Sequence, residues 1–118
     1  MSGTTEFVSI IDYTVDGPQT QQELVEAFAA LLERWVAFYP GFVSSRFHTS
    51  TDGTRVYNVV TWAGEAHYRN FVDHSDTEGR MAAIEAAVSG VSGTAEPRMT
   101  GAPTYRMVRE VGPVVQPS

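Results

Sequence analysis

A chain of 118 residues with 42% apolar residues is sized for a single domain spanning 1–118, and its modest core leaves apolar surface for a subunit partner to cover. Fourteen acidic against eight basic residues give a formal charge of −6, and the basic residues stand singly from Arg34 to Arg109, an arrangement that excludes nucleic acid and anionic membrane as expected partners. The absence of cysteine excludes disulfides, thiolate chemistry and cysteine-held metals, and the absence of lysine removes Schiff-base chemistry and the phosphate-loop lysine.

Phe7 to Val15 is rich in β-branched and aromatic residues and stops at Asp16-Gly17-Pro18, which predicts a first strand. Thr20 with Glu23 has the form of a capping box, and Leu24, Phe28, Leu31, Leu32, Trp35 and Val36 follow at helical spacing, predicting an amphipathic helix that runs to Tyr39 and is stopped by Pro40-Gly41. Phe42–Ser50 and Thr54–Ala63 predict a hairpin around Thr51-Asp52-Gly53, because an Asp-Gly pair supplies the positive φ that a tight turn needs. Glu65–Asp73 reads as a short helix. Ser75 with Glu78 suggests a second capping box opening a helix with Met81, Ile84 and Val88 on one stripe, the two helices forming one broken helix or a pair.

Gly90–Pro103 is dense in Gly, Ser, Thr and Pro and reads as loop, Thr104–Val111 as the last strand, and 112–118 as an irregular tail. The order β-α-β-β-α-β predicts an α+β, ferredoxin-like antiparallel sheet, with one face under the helices and the other bare and available for a homodimer contact. Residues 1–6 lack a basic region followed by an apolar stretch, and no apolar run approaches the roughly 20 residues of a membrane span, so the expected location is cytoplasmic.

Alternation along the third strand puts Val56, Asn58, Val60 and Trp62 on one face. If that face meets the helices, Asn58 is a buried amide among valines, to be satisfied either by the fold or by a ligand, and Trp62 is either core or site. The face on which His48 lies depends on a hairpin register that composition does not fix. Tyr68 is either a site phenol or a core-edge tyrosine, and Arg80 either attracts a phenolate or carboxylate or is a solvated helical arginine. His67 and His74 lack a third ligand at metal-site spacing, and no phosphate-binding glycine loop occurs, so no metal and no nucleotide cofactor is expected.

Several stretches together resemble the antibiotic biosynthesis monooxygenase family, and within it the small quinone-forming monooxygenases of aromatic polyketide pathways. They are Val15-Asp16-Gly17-Pro18 with Thr20-Gln21 and Leu24-Val25-Glu26, Pro40-Gly41-Phe42, His48 with Ser50-Thr51-Asp52-Gly53-Thr54, Asn58 with Trp62, and Tyr68-Arg69. The resemblance implies a homodimeric αβ-barrel and cofactor-independent oxidation of an anthrone-type phenolic polyketide by O₂ to a quinone. It implies Asn58 and Trp62 as the catalytic pair, with His48 and Tyr68 as substrate contacts. The family's helical arginine falls near Ala82 or Ala83 here, and Arg80, within about one turn, is the expected replacement. Two other readings compete: haem degradation on the same fold, with His74 reaching the cavity, and a non-catalytic or cyclase-like dimer that shields a reactive polyketide.

Overall fold

The computed structural model describes residues 6–93 and 96–115. The opening stretch and the end of the predicted irregular tail therefore fall largely outside the described residues. Eight elements follow in order: β1 (Phe7–Thr14), α1 (Pro18–Trp35), β2 (Phe42–Thr49), β3 (Arg55–Trp62), α2 (Glu65–His74), α3 (Thr77–Ser89), β4 (Arg98–Gly101) and β5 (Thr104–Arg106). The sheet runs β2-β3-β1-β4, with β5 also on β1, and every pairing is antiparallel. This is the ferredoxin-like arrangement that the element order predicts.

The hairpin forms as expected. Gly53 takes φ 82° at its turn, and the Asp52 carboxylate accepts from the Thr54 amide at 3.0 Å and from the Ser50 and Thr54 hydroxyls at 2.7 Å each. A second positive φ, 85° at Gly41, follows Pro40, and a Cβ there would collide with the His67 ring, so glycine is required on both grounds.

Neither predicted capping box forms. Pro18 occupies the first turn of α1 and Gly17 its cap position, because proline has no N–H to lose there and its φ suits a helix start. Thr20 and Glu23 consequently lie inside the helix and tie down the loop after α3. The Thr20 hydroxyl donates to the Ser92 carbonyl at 2.8 Å, and Glu23 accepts from the Ser92 amide at 2.7 Å and its hydroxyl at 3.0 Å. At α3 the cap is Asp76, which accepts from the Gly79 amide at 2.9 Å, while the Ser75 hydroxyl accepts from Arg80 at 2.6 Å. The first helix ends at Trp35, not Tyr39. Residue 39 precedes a proline and is pushed out of helical geometry, and its amide makes a turn bond to Val36 instead.

The last third differs most from expectation. Arg98–Gly101, read from composition as loop, is β4, and only Thr104–Arg106 of the predicted 104–111 strand pairs. The two short strands share one edge of β1, broken at Ala102-Pro103, where the Pro103 carbonyl accepts from the Ile10 amide at 3.0 Å. A proline cannot donate to a ladder, so it sits at the break, and the open edge of β1 recruits the flanking residues despite their composition.

Phe7, Ser9, Ile11 and Tyr13 of β1 share the helix-covered face with Val56, Asn58, Val60 and Trp62 of β3, as their register pairs show. Beneath α1 this face forms two hydrophobic clusters, one around Trp62, Phe7 and Phe71, the other around Leu24, Phe28 and Tyr13. The opposite face carries Val8, Ile10, Tyr57 and Val59 together with an ion pair between Asp12 and Arg55. No described helix is long and apolar enough to cross a membrane.

That ion pair sets an acid limit on stability. Burial pushes the Asp12 carboxyl up, but the Arg55 hydrogen bond, the Thr100 hydroxyl and the Arg55 charge outweigh it and leave the pKa lowered. Asp52, held by Thr54 and Ser50, is lowered to about 2. Both folded values lie below the unfolded value of about 3.9, so the stabilisation is complete above that pH and is lost as pH falls through the folded values. Urea unfolding followed from pH 5 to about 2 should show falling stability, and the Asp12→Asn/Asp52→Asn double variant should show a shallower fall. An unchanged slope in the variant would reject this assignment.

Candidate active site

Between the sheet and the helices lies a cavity of about 300 Å³, at the small end of the range for ligand pockets. Its floor is the helix-facing side of β1 and β3; α1 contributes Phe28, Leu31 and Leu32, and α3 contributes Arg80, Met81 and Ile84. Met81 and Met99 are half exposed at its mouth. Strand alternation creates this floor, since same-face residues recur every second position, about 7 Å apart.

Asn58 sits mid-floor and is 3% exposed. Its Oδ1 accepts from the Ser45 hydroxyl at 2.5 Å, whereas its Nδ2 donates to no described residue. Among the described residues no fully enclosed side-chain nitrogen or oxygen is left without a partner, so Nδ2 must open onto unfilled space. The fold therefore satisfies the acceptor of this amide and leaves its donor facing open space.

Trp62 is likewise both core and lining. It is 1% exposed, clamped edge-on by Phe42 at 5.7 Å and Tyr68 at 6.2 Å and tilted against Phe71 at 5.2 Å. Its Nε1–H has no partner among the described residues and, by the same reasoning, touches open space. Tyr68 lines the cavity on the Trp62 side, packed 5.1 Å from Phe7.

Arg80 also lines it. Its guanidinium lies 4.4 Å from the centre of the Phe71 ring, a cation–π contact, and it makes no ion pair among the described residues. Burial draws its pKa down, opposed by Tyr39, Tyr68 and Asp76. A partly desolvated cation without a direct ion pair attracts an anionic or phenolic group. Ala83, near which the family's helical arginine was expected, packs against the second hydrophobic cluster and is not part of the cavity.

His48 is the exception among the expected site residues. The hairpin register pairs it with Tyr57, on the sheet face opposite Asn58, where it is exposed beside Arg55 and Tyr57. It does not contribute to this cavity. His74 is exposed at the end of α2, its Nδ1 3.1 Å from the Asn70 carbonyl, and does not line the cavity either. Ser9 and Tyr13 of β1 do line it, although neither stands out in the sequence. Their one signal is the alternation of β1 in phase with Phe7 and Ile11.

A crystal structure of a monooxygenase from the gene ActVA-Orf6 of Streptomyces coelicolor, in complex with the ligand nanaomycin D, superposes with a TM-score of 0.65 at 31% identity, covering 95% of this chain and 94% of that one. The chain belongs to the antibiotic biosynthesis monooxygenase family. Tetracenomycin-F1 monooxygenase of Streptomyces glaucescens is 32% identical over 69 residues, 58% of this chain, so the match spans only 62% of that relative. SnoaB, a cofactor-independent oxygenase from Streptomyces nogalater, shares the fold, with a TM-score of 0.59 at 18% identity over 92% of this chain and 98% of that one. No family model matches the chain. For a member of the antibiotic biosynthesis monooxygenase family the cavity is chemically legible: an apolar slot with an amide donor mid-floor and a cation near one end.

Proposed function

We propose that this chain is a cofactor-independent monooxygenase that oxidises an anthrone-type aromatic polyketide to a quinone with O₂, working as a homodimer in the cytoplasm with residues 1–118 as its one domain. The observation that carries the reading is the pairing of Asn58 and Trp62 in one apolar cavity, each with a donor unclaimed among the described residues. The homologous monooxygenase structure with nanaomycin D bound supports a polyketide ligand.

An anthrone has an acidic CH₂ between aryl rings, and its conjugate anion can pass an electron to O₂. Recombination gives a peroxide anion at that carbon, which takes back the proton first removed and becomes a hydroperoxide. Loss of the remaining proton and of hydroxide then leaves a carbonyl, so one oxygen atom enters the quinone and the other leaves as water. Asn58 Nδ2 would stabilise the anthrone oxyanion, a role for which a preorganised donor in a dry site is effective. Trp62 would pack the rings, Tyr68 would move a proton, and Arg80 would hold a phenolate or carboxylate. For the dimer, the sheet face bearing Val8, Ile10, Tyr57 and Val59 is the natural contact.

Chelator-treated, colourless protein should consume O₂ in a one-to-one ratio with an anthrone and release the quinone. Activity that follows a flavin or haem spectrum, or that requires an added metal, would overturn the proposal.

A further inference from the structure

We infer that Tyr13 is a further specificity-determining residue of this cavity, its phenol donating a hydrogen bond to an oxygen that the fused-ring substrate carries on the terminal ring remote from Arg80. The inference rests on the reading of the cavity as a polyketide site.

Several observations converge on Tyr13. The register Phe7↔Trp62, Ile11↔Asn58 and Tyr13↔Val56 places it one same-face step beyond Asn58 and at the far end from Trp62, about 20 Å along the strand at 3.3 Å per residue. One aromatic ring cannot bridge that length, whereas a fused-ring system with substituents reaches farther along it. The ring is fixed: 7% exposed, edge-on to Phe28 at 5.1 Å and 70°, and paired across the sheet with Val56 and Met99. Little conformational freedom remains for a ligand to remove.

The Tyr13 hydroxyl has no hydrogen-bond partner among the described residues, yet no fully enclosed side-chain oxygen among them is left unsatisfied, so Oη opens onto unfilled space. Buried tyrosine hydroxyls ordinarily find a partner. Around it the lining is apolar, with Phe28, Leu31 and Ile84 on the helix side, so an incoming oxygen meets little polar competition. Burial also raises the phenol's pKa, which keeps the proton in place for donation at neutral pH. A site that offers a hydrogen bond to a substrate oxygen discriminates against analogues lacking it, because the donor is then left unpaired.

The test is Tyr13→Phe assayed with two substrates, anthrone and an anthrone bearing one hydroxyl on a terminal ring. The variant should keep its melting temperature, raise KM for the hydroxylated substrate about tenfold with kcat within about twofold, and leave KM for plain anthrone unchanged. Tenfold corresponds to about 1.4 kcal/mol, the upper range for one neutral hydrogen bond. Equal effects on both substrates, or no effect, would overturn the assignment. If the native protein turned over neither compound, the monooxygenase reading would fail, and the same comparison would be made on dissociation constants for the two corresponding anthraquinones. Discrimination lost in Tyr13→Phe would then sustain the role of Tyr13 in a binding protein, whereas undiminished discrimination, or no binding by the native protein, would refute it.

Discussion

Replacing Asn58 by alanine should lower turnover with an anthrone about 10²-fold while leaving the protein folded, the low end of the cost of losing one oxyanion donor. The side chain to be removed has its acceptor held by Ser45 and its donor open to the cavity. Truncation therefore deletes the donor that opens onto the cavity and leaves one serine hydroxyl beside a space that water can enter, a small structural penalty. Because the donor strengthens its bond as charge develops on the oxygen, the loss should fall on kcat more than on KM. Steady-state oxygen uptake by the folded variant at the native rate would remove Asn58 from the chemistry.

Trp62→Ala should behave differently, as a stability variant first. The indole is nearly fully buried and meets three aromatic rings, so truncation costs about 3–5 kcal/mol in lost transfer energy and cavity formation. Domains have about 5–15 kcal/mol in total, and the corresponding drop in melting temperature exceeds about 10 °C for a chain of this size. Trp62→Phe preserves most of the packing and removes the Nε1–H, so the difference between the two variants separates support of the cavity from contact with the ligand. A thermal melt of Trp62→Ala within about 2 °C of the native protein, far short of the expected shift, would contradict so close an aromatic enclosure of the indole.

The parts of this fold legible in the sequence are those fixed by local pattern. The alternation of β3 places Asn58 and Trp62 on one face without any knowledge of partners, and Asp52-Gly53 marks the hairpin because positive φ is a local demand. His48 is not legible in this way. A shift of one residue in hairpin register reverses the face it occupies, and the actual pairing with Tyr57 turns it away from the cavity.

The last third is obscured for another reason. Arg98–Gly101 has loop composition and becomes a strand through the free edge of β1, a non-local pairing. Thr20-Glu23 and Ser75-Glu78 carry the capping pattern, yet the helices start at Pro18 after Gly17 and at Thr77 after the Asp76 cap. Tyr13 gives no sign of a site role, because an aromatic in a strand reads as core. Only the cavity, and the absence of a partner for its hydroxyl among the described residues, distinguish it.

The most direct measurement is a crystal structure of the protein with an anthraquinone product bound. The rings should lie in the cavity against Trp62, with a quinone carbonyl within about 3.2 Å of Asn58 Nδ2. An anthraquinone found only on the Tyr57 face of the sheet, with the cavity empty, would contradict the assignment of this cavity as the site of oxidation.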